Sequence, residues 1–171
     1  NKRFLERNLN RSFPGKEDGV LEEQIAFELD PYIKGCDYLL DLHSASEETE
    51  PFIFVTKDES IHSGVAAYLG LNKYVELGDH VKGTTLEGDG IRITVECGQH
   101  ESESSKQIAK LVAKNFLIAL GMIDGSVHKH KLSKFKIVET IKIINKDGFI
   151  PNPQLKPFVL VGEGEVIGSY P

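Results

Sequence analysis

Ile91-Arg92-Ile93-Thr94-Val95 decides the reading of the fold: a β-rich run, entered from a glycine-rich turn through Gly83, Gly88 and Gly90, that ends by delivering Glu96 and Gly98. After it, Ile108, Leu111, Val112, Phe116 and Leu120 share one face of a long helix expected from about Ser104, with Gly121 as its C-cap. Before it, Tyr38-Leu39-Leu40-Asp41-Leu42 is a short apolar run of the kind that makes a buried parallel strand, and its end delivers His43. That run follows a predicted helix marked by Leu21, Ile25, Ala26, Leu29 and Ile33, with Glu22 and Glu23 in the favourable first turn and Gly35 as a stop. Between the two strands, Phe52-Ile53-Phe54-Val55, a helical pattern of Ile61, Val65, Ala66 and Leu69, and then Tyr74-Val75-Glu76-Leu77 add strand, helix, strand. The alternation predicts an α/β architecture with a mainly parallel or mixed sheet and flanking helices. His43 and Glu96 are both expected just past strand ends, where open α/β sheets place their ligands.

The texture changes after Gly125. Phe135 to Ile144 reads as strand, and Asp147-Gly148, Pro151, Pro153 and Pro157 punctuate short β segments ending in Phe158-Val159-Leu160-Val161. The expected organisation is a partial α/β domain over 1–125, a linker over 126–133 carrying His128, Lys129, His130 and Lys131, and the start of a β-rich domain over 134–171. Asn1 opens the chain and Met122 is its only methionine, so the natural start is expected to be missing.

Bulk properties exclude several classes. A chain of 171 residues with 40% hydrophobic and 27% charged residues has ordinary globular composition and is large enough to bury a core. It contains no apolar run of transmembrane length and no secretion signal. Its formal net charge of -6 argues against a nucleic-acid partner, which needs a basic face, so any anionic ligand must be held by local arginines. Cys36 and Cys97 are too few for a disulfide scaffold, and a reducing cytoplasm is the simplest compartment. The oligomeric state is left open, a homo-oligomer included.

Three places in the chain carry chemistry. Arg3 to Gly15 packs Arg3, Arg7 and Arg11 with Asn8 and Asn10 ahead of a Pro-Gly turn. A guanidinium fork binds a carboxylate through two parallel bonds, although taken alone the segment reads as a solvated basic face. Asp41-Leu42-His43-Ser44 puts one imidazole at a strand end, and an isolated histidine is more often packed or exposed than metal-bound. The neighbouring Glu47, Glu48 and Glu50 read as a solvated loop. Val95-Glu96-Cys97-Gly98-Gln99-His100 puts a carboxylate after an apolar strand, where partial desolvation would raise its pKa and suit it to general base and acid duty. The bland reading of Glu96 is a strand-end cap for the next helix. Cys97, with no base paired to it in sequence, is taken as core.

It is the combination that is specific. Asn8-Leu9-Asn10-Arg11-Ser12-Phe13-Pro14-Gly15, then Asp41-Leu42-His43-Ser44, then Val95-Glu96-Cys97-Gly98-Gln99-His100, in that order, closely resembles the succinylglutamate desuccinylase and aspartoacylase family, which is similar in fold to zinc carboxypeptidases. The resemblance implies a catalytic domain over about residues 1–125. It implies a zinc-dependent hydrolase that removes an acyl group from an N-acyl amino acid or related small amide. Under it His43 is the third ligand of one zinc ion, Glu96 the general base, and Arg3 the arginine that polarises the scissile carbonyl. Asn10 and Arg11 become the pair that grips the substrate carboxylate. The family's first two zinc ligands lie in a His-x-x-Glu motif on a loop upstream of the Asn-Arg segment, and this chain begins after that point, so the chain alone is expected to be inactive. Asn8 stands where many members have aspartate, which bears on how the arginine loop is braced. Two rival readings remain: a zinc carboxypeptidase acting on peptides, and a non-catalytic module that only binds carboxylates.

Overall fold

A computed structural model of the chain describes residues 5–56, 64–78, 81–140, 143 and 148–170. Helix α1 spans Leu21–Lys34, and helix α2 spans Glu103–Ala119. Five strands, β1 (Tyr38–Ala45), β2 (Phe52–Val55), β3 (Lys73–Glu76), β4 (Ile91–Gln99) and β5 (Ser133–Lys136), form one sheet in the order β1-β4-β2-β3-β5. The pairings β1/β4, β2/β3 and β3/β5 are parallel, and β2/β4 is antiparallel, so the sheet is mixed. Strands β6 (Ile150–Pro151) and β7 (Gly168–Ser169) make a separate two-stranded pair. Among the described residues no helix is long and apolar enough to cross a membrane.

Alternation along the strands divides the sheet into a core face and a working face. Ile93, Val95 and Cys97 of β4 join Ile53 and Val55 of β2 on the core face, packed with Val112 and Phe116 of α2 and with Ala66 and Leu69. Those sheet residues are nearly all fully buried, and emptying one such site by an Ile→Ala change typically costs about 2–5 kcal/mol. The intervening residues face the other way. The β1/β4 register sets Asp41 beside Thr94 and His43 beside Glu96, and the β2/β4 register sets Phe54 beside Thr94 and Phe52 beside Glu96. At the start of β4 that same face is closed by α1, because the buried Arg92 donates from its guanidinium to the Ile33 carbonyl at 2.9 Å. Further along β4 the face stays open.

Several local expectations are corrected. His43 and Glu96 lie inside their strands, not past their ends: β1 continues to Ala45 and β4 to Gln99. The ladder persists because Ala45 pairs with Gln99, and because β2 supplies Glu96 with a second neighbour in Phe52. Of the helical pattern expected around Ile61 to Leu69, Ile61 lies outside the described residues, and Ala66–Tyr68 forms a single 3-10 turn. Of the strand expected over Phe135 to Ile144, Ile141, Lys142 and Ile144 lie outside the described residues, and the observed strand Ser133–Lys136 begins earlier and forms the outer edge of the main sheet beside β3. Phe158-Val159-Leu160-Val161 is not a strand, since Phe158 takes φ 63° and turns the chain, leaving Leu160 almost wholly exposed.

Candidate active site

The arginine loop is built from its own backbone. Asn8 begins a 3-10 turn over Leu9–Arg11 by accepting the Asn10 N–H on its side-chain oxygen at 3.0 Å. The Asn8 carbonyl then accepts the Arg11 N–H at 2.9 Å and the Ser12 hydroxyl at 3.0 Å. An asparagine oxygen at this position therefore caps the turn unaided by charge. Upstream, the buried Glu22 carboxylate accepts the N–H groups of Leu5 at 2.6 Å and of Glu6 at 3.3 Å. Burial raises its pKa, but these bonds outweigh it and hold the carboxyl below its ordinary value. Arg7 pairs with Glu23 at 2.7 Å, so both first-turn acids of α1 tie down the loop. On its far side, Phe13 N–H donates to the Gly83 carbonyl at 3.1 Å. Gly83 has φ +75°, and a Cβ there would stand 3.0 Å from the Arg11 carbonyl, so the close approach of the two loops needs glycine.

The loop and the sheet together enclose a cleft of about 190 Å³, lined among others by Asn10, Arg11, His43, Phe54, Thr94 and Glu96. One hydrogen-bonded chain ties its lining residues Asn10 and His43 together. Thr85 N–H donates to Asn10 Oδ1 at 3.0 Å, and the Thr85 hydroxyl donates to Asp41 Oδ2 at 2.6 Å. The same Asp41 oxygen lies 2.9 Å from His43 Nε2, which is also 3.2 Å from Asn10 Nδ2. Because the Asn10 carbonyl oxygen is taken by Thr85, its nitrogen faces the imidazole as a donor. His43 Nε2 thus stands between a donor and an acceptor: protonated it serves Asp41, and with a free lone pair it serves Asn10. Burial raises the Asp41 pKa, but the hydrogen bonds from His43 and Thr85, with the His43 charge, outweigh it and lower the carboxyl below its usual value.

Of the residues singled out from sequence, Asn10, Arg11, His43 and Glu96 converge on this one cleft. Arg3 lies outside the described residues. Among the described residues no group of three or more His, Cys, Asp or Glu side chains converges to hold a metal ion. Of the side chains expected as zinc ligands from the sequence, the described residues contain the His43 imidazole. Cys97 is buried on the opposite face, where burial and the nearby Glu96 charge push its thiol up to about 11, so it packs as core. His100 donates to or accepts from Ser44 at 2.7 Å on the exposed side of β1 and takes no part in the cleft.

Residues 1–136 match the family model described as the succinylglutamate desuccinylase/aspartoacylase catalytic domain. The chain belongs to this family. No curated protein matches its sequence. Among solved structures, the product-bound ectoine utilization protein EutE (DoeB) from Ruegeria pomeroyi is 25% identical with a TM-score of 0.65, the alignment covering 85% of this chain and 47% of that one. A succinylglutamate desuccinylase from Silicibacter sp. TM1040 is 20% identical with a TM-score of 0.74, covering 96% of this chain and 55% of that one. Murine aminoacylase 3 is 18% identical with a TM-score of 0.67, covering 98% and 66%. The mixed sheet with flanking helices is the fold these family members share. The chain spans about half the length of the first of these structures.

Within this family member, sequence reasoning missed Thr85 and Glu22. Thr85 carries no local signal beyond following the glycine turn, and its role appears only when that turn meets Asn10 and Asp41. Glu22 reads as an ordinary first-turn acid, yet its carboxylate is spent on the backbone of the arginine loop.

Proposed function

We propose that the protein carrying this chain hydrolyses the amide of an N-acyl amino acid or a closely related small amide. The observation that supports this most is the convergence in one cleft of a carboxylate-binding pair, Asn10 and Arg11, with an imidazole and a carboxylate, His43 and Glu96. The exposed Arg11 guanidinium and the Asn10 amide would hold the substrate carboxylate at the loop side. The scissile amide would then lie toward His43 and Glu96, which are neighbours across β1 and β4. As water adds to the acyl carbon, Glu96 takes one of its protons. Glu96 then passes that proton to the amide nitrogen as the C–N bond breaks, giving a carboxylic acid and a free amine. His43 would serve as one ligand of a zinc ion, with Asp41 and Asn10 fixing its ring. The chemistry such an ion supplies is Lewis-acid polarisation of the carbonyl and activation of the water. With both cysteines free, a reducing cytoplasm is the compartment we assign.

The test is Glu96→Gln in the full-length protein, assayed on acylated amino acids with metal content measured in parallel. Turnover should fall by roughly two to four orders of magnitude, the usual share of general acid-base catalysis, with metal content unchanged. Undiminished turnover would remove Glu96 from the reaction.

A further inference from the structure

A second cleft, of about 330 Å³, opens on the other side of Glu96. Its walls are Phe52 and Phe54 of β2, Val75 of β3, and Pro157 and Phe158 of the C-terminal segment. Glu96 and Phe54 line this cleft and the polar one alike, so the two meet at the proposed general base. Asn10 and Arg11 belong only to the first.

The apolar walls are held in place by ring packing. Phe158 meets Phe52 edge-on at 4.9 Å between centroids and Phe135 at 4.8 Å, which pins the C-terminal segment over the working face of the sheet. Phe158 sits at φ 63°, an uncommon conformation for a bulky residue that costs energy and persists only where surrounding contacts over-determine it. Phe52 and Phe54 also pack on each other, at 4.7 Å.

The charged side chains that line this cleft are acidic. Glu47 and Glu48 line it from an exposed loop, and among the described residues no basic side chain lines it. The nearby cation, Lys73, lies 5.5 Å from the centre of the Phe158 ring, and its ammonium is paired with Glu50. A carboxylate entering here would give up its hydration to face apolar walls and two acids. A neutral hydrocarbon group would bury its surface against four apolar side chains and a proline.

We propose that this cleft is the acyl pocket of the site and that it takes a neutral aromatic or branched aliphatic acyl group in preference to a dicarboxylic one. The inference rests on the deacylase reading above: with the substrate carboxylate at Asn10 and Arg11 and the scissile amide at Glu96, the acyl group is the part that extends beyond Glu96. The volume lies within the range of small-molecule sites and accommodates a phenyl ring.

The test compares N-benzoyl, N-acetyl and N-succinyl derivatives of one amino acid as ligands of the purified protein, by calorimetry or NMR titration. The benzoyl compound should bind at least about tenfold more tightly than the acetyl compound, in keeping with what apolar pockets discriminate, and the succinyl compound most weakly. Phe158→Ala should abolish the benzoyl advantage over acetyl. Because that change also loosens the C-terminal segment, Glu47→Lys with Glu48→Lys provides a second, exposed variant: it should strengthen succinyl binding severalfold. Succinyl binding as tight as benzoyl in the unaltered protein, or a benzoyl preference that survives Phe158→Ala, would overturn the acyl pocket while leaving the deacylase reading intact. Failure of all three compounds to bind would refute the deacylase reading and the pocket with it.

Discussion

Thr85→Val removes one hydroxyl from the hydrogen-bonded chain behind Asn10 and His43. The Thr85 hydroxyl donates to Asp41 Oδ2 at 2.6 Å, whereas its backbone N–H, which holds Asn10, is retained by valine. Hydrogen bonds to charged groups are worth about 1.5–3 kcal/mol. The Asp41 side chain keeps 21% of its exposure, so water partly replaces the lost donor, and the expected cost sits at the lower end, about 1.5–2 kcal/mol. With a urea slope near 2 kcal/mol per M, the unfolding midpoint should drop by about 1 M. The sign with pH follows from linkage. Asp41 is depressed below its ordinary value of 3.8 in the folded state, so its stabilising contribution is full above that value and is lost as pH falls through the folded pKa. The gap between the two proteins should therefore be widest near neutrality and narrow in acid. NMR titration of the Asp41 side-chain carbon should show the variant's carboxyl moving back toward 3.8. An unchanged Asp41 titration together with an unchanged midpoint would refute the claim that Thr85 holds this carboxylate.

Arg11→Lys keeps the charge but loses the planar fork, so in the full-length enzyme KM should rise more than kcat falls; an equal loss on an uncharged substrate analogue would show that Arg11 does not bind the carboxylate. Cys97, with its thiol pushed up to about 11, should resist iodoacetamide at pH 8 in a Cys36→Ser background until the protein is unfolded, and rapid alkylation of the native protein would contradict its burial. Since the folded pKa of Cys97 is raised, the stability it contributes is present below about 9 and is lost as pH rises toward about 11, which urea midpoints across that window measure.

The elements with strong periodic patterns were legible: α1 spans Leu21–Lys34, and α2 stops at the Leu120–Gly121 boundary that glycine marked. Four of the five proposed site residues, Asn10, Arg11, His43 and Glu96, meet in space as the motif order implied. What sequence did not convey depends on partners distant in the chain. Where β4 ends is decided by its neighbours, β2 offering a ladder partner as far as Glu96 and β1 as far as Gln99, and not by the residues of β4 themselves. The antiparallel entry of β2 was equally hidden, because a strand, helix, strand alternation carries no sign of direction. Phe158 was taken for a strand residue because Phe-Val-Leu-Val is β-rich, but its ring packs on Phe52 and Phe135 and the backbone turns to allow it.

The mixed character of the sheet has a consequence for chemistry. Had β2 run parallel to β4, its connection would have needed a crossover, the kind of link usually filled by a helix. Running antiparallel, β2 instead reaches β4 directly from the loop after β1, and Phe52 and Phe54 are set beside Glu96 and Thr94 on the working face. Glu96 is then held in register by His43 on one side and Phe52 on the other. One neighbour offers an imidazole and the polar cleft, the other a ring and the apolar cleft. A carboxylate so placed keeps a fixed position between a polar and an apolar cleft, which suits the role proposed for Glu96, taking a proton from water and returning it to a leaving amine.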